Sequence, residues 1–176
     1  MKKPITFFLL ISIFSCTQQN RPQEPEPPYP YSIEEVKFEN ETDGAILAGT
    51  LTKPTDDKIK ATVILVSGSG LQDRDETVYG HKPFLVLADY LTRNNITVLR
   101  YDDRGVGESK GKLIGSTTET FAGDTYAGIE YLYSRKDIPN SKIGIIGHSE
   151  GGLIATLLAS QYKNISFVVL LGSPGI

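Results

Sequence analysis

The chain has 176 residues, of which 39% are hydrophobic and 22% charged. These values are typical of one soluble domain with a single core and argue against a disordered chain or a coiled coil. The formal net charge is -3, and no run of basic residues follows Lys2 and Lys3. The sequence therefore offers no positive patch for nucleic acid, and we expect no nucleic-acid partner.

The first residues have the features of a secretory signal. A basic start precedes an apolar run over residues 5–14, which only Thr6 and Ser12 interrupt. At about ten residues, this run is well short of the roughly twenty that cross a bilayer as a helix. Residues 1–15 are therefore predicted to be a signal peptide that directs export.

Cys16 is the only cysteine of the chain, which excludes an intrachain disulfide. The sequence IFSC that ends at Cys16 resembles a bacterial lipobox. This resemblance implies that Cys16 is lipidated, becomes the new N-terminus and holds the protein on a membrane of the bacterial cell envelope. The alternative is cleavage nearby, with Cys16 left as a free thiol.

Residues 16–30 are predicted to be the lipidated cysteine followed by a proline-rich tether. Five of the ten prolines lie between residues 17 and 30, where almost nothing is apolar. Such a segment cannot build a core and favours extended polyproline geometry. It would hold a domain off a membrane surface, or be a disordered leader if Cys16 carries no lipid.

From residue 31 onward the pattern is that of an α/β domain. Asp43-Gly44 between two strand-like runs predicts an antiparallel hairpin, and the β-branched run 61–66 predicts a strand covered on both faces. The stretch KPFLVLADYLTRNN has helical spacing. The later elements are expected at 96–100 (strand), 118–134 (helix), 142–147 (strand), 149–162 (helix) and 165–171 (strand). Strands that alternate with helices predict a mostly parallel, doubly wound sheet in one domain, 31–176.

Three glycine-rich loops follow the predicted parallel strands: SGSGLQDRDE, YDDRGVGESKG and GHSEGG. Ligands of such sheets gather outside the carboxyl ends of the strands. We therefore expect any chemistry to take place between these loops.

GHSEG, residues 147–151, has the pattern GxSxG between a strand and a helix whose Leu153, Ile154, Leu157 and Leu158 are expected to pack inward. A sharp turn at Ser149 would bring residues two positions away against neighbouring backbone, so Gly147 and Gly151 remove the collisions. On these residues alone, Ser149 is either a nucleophile or a small residue in a glycine-rich turn.

The three loops, in this order, resemble those of the α/β-hydrolase family, within it the serine hydrolases with a serine aminopeptidase-like or dienelactone hydrolase-like domain. GHSEGG is similar to the nucleophile elbow after the fifth strand, VSGSGLQDRDE to the oxyanion loop after the third, and RYDDRGVGES to the turn after the fourth. The resemblance covers residues 31–176.

The resemblance implies a role for several residues of this chain. Ser149 would be the nucleophile, the backbone N–H of Glu150 one oxyanion donor, and that of Ser69 or Gly70 the second. The implied reaction is hydrolysis of a small carboxylic ester through an acyl-enzyme. A peptidase acting on short peptides or an acyl-transferase is the closest alternative, and a non-catalytic surface lipoprotein that serves as a binding module is the alternative from another class.

The remaining polar residues of the loops are expected to be structural. His148 should point away from the serine hydroxyl, and His81 should lie at the start of the first helix or, alternatively, line the pocket. The acidic and basic residues are expected to stiffen the loops through hydrogen bonds and ion pairs: Asp73, Arg74, Asp75, Glu76, Asp102, Asp103 and Arg104. The alternative for residues 73–76 is that they shape substrate access. Asp124 is expected to cap a helix electrostatically.

No cofactor or metal is expected. The glycines at 105, 107 and 111 miss the GxGxxG spacing by one residue, and no stretch fits GxxxxGK[ST]. One cysteine and two scattered histidines make no zinc set.

The resemblance also implies an acid after a later strand and a histidine after the last one. Beyond Ser149 the only acid is Glu150, and there is no histidine. We therefore expect these 176 residues to be an N-terminal portion that stops after about the sixth strand. Alone, they should be nearly inactive and leave that strand as an exposed edge.

Overall fold

The computed structural model describes residues 21–56, 58–139 and 142–174. The predicted signal peptide and Cys16 lie outside these residues. Within them, no helix combines the length and the apolar character needed to cross a membrane.

Six strands form one sheet in the order β1-β2-β4-β3-β5-β6. The strands are β1 (Tyr31–Asn40), β2 (Ala45–Pro54), β3 (Ala61–Val66), β4 (Ile96–Tyr101), β5 (Ile143–His148) and β6 (Phe167–Leu171); the helices are α1 (Pro83–Arg93), α2 (Thr118–Ser134) and α3 (Glu150–Gln161). The last four strands are mutually parallel, and β1 and β2 form an antiparallel hairpin that joins them along β4. The predicted α/β architecture is confirmed, with β6 beginning two residues later than expected.

The two faces of the sheet are covered by different helices. On one face Val63 and Leu65 of β3 pack with Phe84 and Ala88 of α1. On the other face the neighbouring positions of β3 belong to the larger core, which contains residues of α2 and α3. Because side chains alternate along a strand, this two-sided burial explains the apolar run at residues 63–66 of β3.

Helix α3 contacts the sheet through smaller side chains than the sequence suggested. Ile154 and Leu158 are buried as predicted, but Leu153 and Leu157 are only partly buried. Ala155, not either leucine, is fully buried against the sheet. Leu157 instead faces the groove between α2 and α3, beside Tyr126 and Tyr162.

Asp124 is not a helix cap, which corrects the prediction. Thr117 caps α2, because its hydroxyl accepts from the N–H of Thr120 in a capping box. Asp124 lies beyond the first turn and is buried, and its carboxylate receives Arg104 Nε at 2.7 Å and Nη2 at 2.5 Å. Asn40 Nδ2 donates to the same carboxylate at 2.9 Å. Asp124 therefore balances a buried arginine from the loop after β4.

Replacing Asp124 by asparagine should lower the free energy of unfolding by about 3 kcal/mol, because the buried Arg104 guanidinium loses its charged, bidentate partner. Asp43→Asn is the matched control, since Asp43 also pairs with Arg104 but its side chain is 41% exposed. The control should cost about 1 kcal/mol or less, because water screens an exposed pair. Urea denaturation of the full-length protein measures both, and equal losses would contradict the assignment.

Candidate active site

Ser149 lies on a sharp turn between β5 and α3, here called the elbow (residues 147–151). Its backbone has φ +50° and ψ −114°, in the positive-φ region that non-glycine residues seldom adopt. Two hydrogen bonds hold this conformation: the N–H of Ser149 donates to Leu171 O at 3.0 Å, and the N–H of Gly152 donates to Ser149 O at 3.1 Å. Such strain costs about 1–3 kcal/mol and is found mainly at functional sites.

The glycines on either side of Ser149 are required by space. A Cβ on Gly147 would lie 2.1 Å from Gly151 O, and a Cβ on Gly151 would lie 2.1 Å from Val66 O. Neither contact is tolerable, so any side chain at these positions would push the helix away from the sheet. The GxSxG spacing is therefore a steric requirement of this turn.

The β3 loop (residues 67–82) passes directly over the elbow. A Cβ on Gly68 would lie 3.2 Å from the Cβ of Ser149. The N–H of Gly68 is already used, because it donates to Glu76 Oε1 at 2.7 Å. Ser69 and Gly70, the two predicted oxyanion candidates, follow in the same loop and are exposed.

A small pocket beside the elbow brings Gly70 and Glu150 together, with Asp103, Tyr101 and Phe121 in its wall. Glu150 is the first residue of α3, so its N–H has no partner within the helix and lies at the positive end of the helix dipole. Its carboxylate is turned aside, because it accepts from the Thr118 hydroxyl at 2.6 Å. The backbone N–H at this helix start can therefore donate to an anion.

Ion pairs fix the loops around the site, as the sequence predicted. Arg74 joins the β3 loop to the β4 loop (residues 102–117), with Nη2 at 2.7 Å from Asp102 Oδ2, and also pairs with Glu35. Burial opposes ionisation of Asp102, but the Arg74 hydrogen bonds outweigh it and lower the pKa of this carboxyl. Arg100 of β4 pairs with Asp75. The two loops therefore behave as one connected unit.

Asp103 is a buried acidic group of the pocket wall, and no ion pair reaches it among the described residues. Its carboxylate accepts from the N–H of Gln72 at 3.0 Å and from the Ser67 hydroxyl at 3.2 Å. Burial raises the pKa of Asp103 to about 6, against these two hydrogen bonds. Asp103 therefore changes charge near neutral pH inside the site.

Neither histidine of the chain contacts the Ser149 hydroxyl. His148 Nδ1 lies 2.7 Å from Glu76 Oε1, and His81 is exposed just before α1, where its backbone pairs with Val78. Over the described ranges no hydrogen bond reaches Ser149 Oγ, and no cluster of acidic, histidine or cysteine side chains could hold a metal ion. The contact between Glu76 and His148 was missed, because 72 residues separate them.

Comparison with known proteins identifies relatives of the chain. The family described as serine aminopeptidase, S33, matches residues 57–176. Esterase EstD of Thermotoga maritima is 31% identical over 128 residues, which cover 73% of this chain and 30% of that protein. The chain thus spans about a third of this relative's length.

Solved structures give the same fold. The esterase Pf2001 of Pyrococcus furiosus superposes with a TM-score of 0.68 at 26% identity, covering 82% of this chain and 53% of that one. The hypothetical protein PA2218 of Pseudomonas aeruginosa has a TM-score of 0.70 at 22% identity, covering 86% of this chain and 46% of that one. The predicted α/β-hydrolase fold is therefore confirmed.

Asp103→Asn should stabilise the protein at neutral pH but not at pH 4. The raised pKa means that the folded state holds the proton more tightly than the unfolded state. This contribution to stability is complete below about pH 4 and is lost as the pH rises through about 6. An asparagine keeps an acceptor for Gln72 and does not ionise, so above pH 7 the variant should gain up to about 3 kcal/mol.

Urea denaturation between pH 4 and pH 8 measures the difference between Asp103→Asn and the wild type. Asp56→Asn, at an exposed position, is the control for the same substitution made away from the pocket. A constant difference for Asp103→Asn across the range would contradict the burial argument.

Proposed function

The chain belongs to the serine aminopeptidase S33 family and has the α/β-hydrolase fold, and from this premise we propose that the full-length protein is a serine hydrolase of carboxylic esters. The observation that carries the proposal is the strained, partly exposed Ser149 at the strand-to-helix turn. Strain of this kind needs a reason, and presentation of a nucleophile above the sheet provides one.

In the proposed reaction, the Ser149 hydroxyl oxygen attacks the acyl carbonyl carbon while a base takes its proton. The oxygen of the tetrahedral intermediate becomes negative and is bound by backbone N–H groups, that of Glu150 and one from Ser69 or Gly70. Gly70 is favoured because it shares the pocket with Glu150. The alcohol leaves with a proton, and water then releases the acid from Ser149. Each such donor typically contributes about 3 kcal/mol to stabilising the transition state.

The reaction needs a base and an acid that the described residues do not supply. An unactivated hydroxyl is a weak nucleophile, and neither His81 nor His148 bonds to Ser149. We propose that an acid and a histidine elsewhere in the full-length protein complete the triad. The elbow and the oxyanion donors alone would give a residual rate of about 10³- to 10⁴-fold over water.

Esters are proposed as substrates because relatives in both comparisons are named esterases. The family description, serine aminopeptidase, supports the rival substrate class, short peptides with a free amino terminus. The same nucleophile serves both reactions, so only a comparison of substrates separates them.

Ser149→Ala should abolish labelling of the full-length protein by a fluorophosphonate probe and lower hydrolysis of p-nitrophenyl acyl esters at least about 10³-fold. Ser160→Ala, at an exposed serine near the end of α3, is the matched control and should label fully. Faster cleavage of aminoacyl p-nitroanilides than of the esters would favour the peptidase. If the folded wild-type protein neither reacts with the probe nor hydrolyses any of these substrates, the alternative of a non-catalytic binding module would be favoured.

We also propose that the protein is exported and held on a bacterial envelope membrane by a lipid on Cys16. The basic start, the short apolar run and IFSC support this proposal. Residues 21–30 follow the domain surface, where Arg21 Nη2 donates to Tyr79 O at 2.8 Å. Five residues of chain span at most about 17 Å, so a lipid on Cys16 would keep Tyr79 close to the membrane.

Cys16→Ser should move the protein from the membrane fraction to the soluble exported fraction in a bacterial host, because the thiol that would carry the lipid is gone. Detergent phase partitioning and metabolic labelling with a fatty acid measure the change. Retention of both the lipid label and the membrane fraction in the variant would contradict the proposal.

A further inference from the structure

Glu76 is a buried carboxylate with an unusual set of partners. Its side chain is 5% exposed, and among the described residues no arginine or lysine pairs with it. Oε1 alone receives the N–H of Gly68 at 2.7 Å and lies 2.7 Å from His148 Nδ1. The short contact between Glu76 Oε1 and His148 Nδ1 is a hydrogen bond, and we assign the Nδ1–H as its donor because a carboxylate can only accept.

The backbone around Glu76 is shaped to turn this side chain inward. Glu76 has φ +52°, in the region that costs a non-glycine residue strain. Its N–H donates to Asp73 O at 2.9 Å, and the Asp73 carboxylate accepts the N–H groups of Asp75 and Thr77, each at 3.0 Å. The hydrogen bonds of the turn at 73–77 thus hold Glu76 in its strained conformation. The proposed roles of Ser149 and the oxyanion donors do not explain why this strain is present.

The two partners of Glu76 belong to the two halves of the site. Gly68 precedes Ser69 and Gly70, the candidate oxyanion donors, and His148 precedes the nucleophile Ser149. A Cβ on Gly68 would lie 3.2 Å from the Cβ of Ser149 and 3.3 Å from His148 Nδ1. One carboxylate oxygen therefore fixes the distance between the β3 loop and the elbow.

We propose that Glu76 and His148 are positioning residues that set the oxyanion donors of the β3 loop in register with Ser149. This inference rests on the proposed function. The pair touches neither the acyl group nor the Ser149 hydroxyl, so His148 is not the base. Loss of the hydrogen bond between Glu76 and His148 would displace the oxyanion donors. A displacement of about 1 Å can lower the rate about 100-fold.

The test compares His148→Ala with His148→Asn in the full-length protein on a p-nitrophenyl ester. Asparagine Nδ2 can occupy the place of the histidine Nδ1–H and donate to Glu76, but asparagine cannot act as a base. We expect alanine to lower kcat about 10- to 100-fold with KM changed less than about threefold, and asparagine to restore most of kcat. His81→Asn is the matched control and should leave kcat unchanged.

A second readout follows the oxyanion directly. A trifluoromethyl ketone inhibitor forms a tetrahedral adduct with the serine, so its affinity should fall in proportion to kcat/KM across the variants, while KM stays constant. Glu76→Gln, which keeps size and one acceptor oxygen, should give an intermediate loss of both. It remains informative if His148→Ala fails to fold, which urea denaturation would reveal.

Three results overturn the inference. The first is wild-type kcat and inhibitor affinity in both His148→Ala and Glu76→Gln. The second is equal inactivity of folded His148→Asn and His148→Ala, and the third is an effect of the substitutions on KM alone. Equal inactivity would show that donation to Glu76 is not what His148 contributes. Failure of the proposed function is distinguished from all three, because the wild type itself would then neither hydrolyse the ester nor bind the inhibitor.

Discussion

At the elbow, the backbone at the start of α3 packs directly against the backbone of β5 and β3, with no side chain between them. The rest of the site depends on this contact. Gly147 and Gly151 pack against each other, and Gly151 packs against Val66 at the end of β3. Only this close approach lets α3 start directly at the carboxyl edge of the sheet. It also forces Ser149 into its positive φ, so the exposure of the serine is a consequence of how tightly the helix is seated.

The rest of the site consists of loops around the elbow, and ion pairs hold these loops in place. Arg74 links the β3 and β4 loops, Arg100 links β4 to the β3 loop, and Arg104 links the β4 loop to α2. Buried ion pairs add little net stability relative to apolar packing, because desolvation consumes most of the attraction. Their directional hydrogen bonds nevertheless hold the loops in one arrangement.

The fold could be predicted from local patterns because its elements have local causes. The β-branched run of β3, the Asp43-Gly44 turn and the spacing of GHSEG each fit within a few residues, and each was found where expected. The polar contacts could not be predicted in the same way. Asp124 looked like a capping residue because its partner Arg104 lies 20 residues earlier and on another element.

Glu76 and His148 show the same limit more clearly. Each is unremarkable in its own neighbourhood, one in an acidic run and the other before a serine. Their meeting depends on β3 and β5 being adjacent in the sheet, although α1, β4 and α2 separate them in the chain. The spacing of residues in the sequence does not predict that adjacency. The GxSxG spacing, in contrast, directly predicts the close backbone packing at Gly147 and Gly151.

The buried Arg104 cluster also joins segments that lie far apart along the chain. Arg104 draws together Asp43 from the hairpin turn and Asp124 from α2, contacts that lie 61 and 20 residues away along the chain. Bringing these distant segments together costs conformational entropy, which opposes formation of the ion pairs. The Arg104 guanidinium can therefore be buried and paired only when the hairpin turn, the β4 loop and α2 lie together, so the arrangement of this loop near Ser149 depends on the docking of the hairpin.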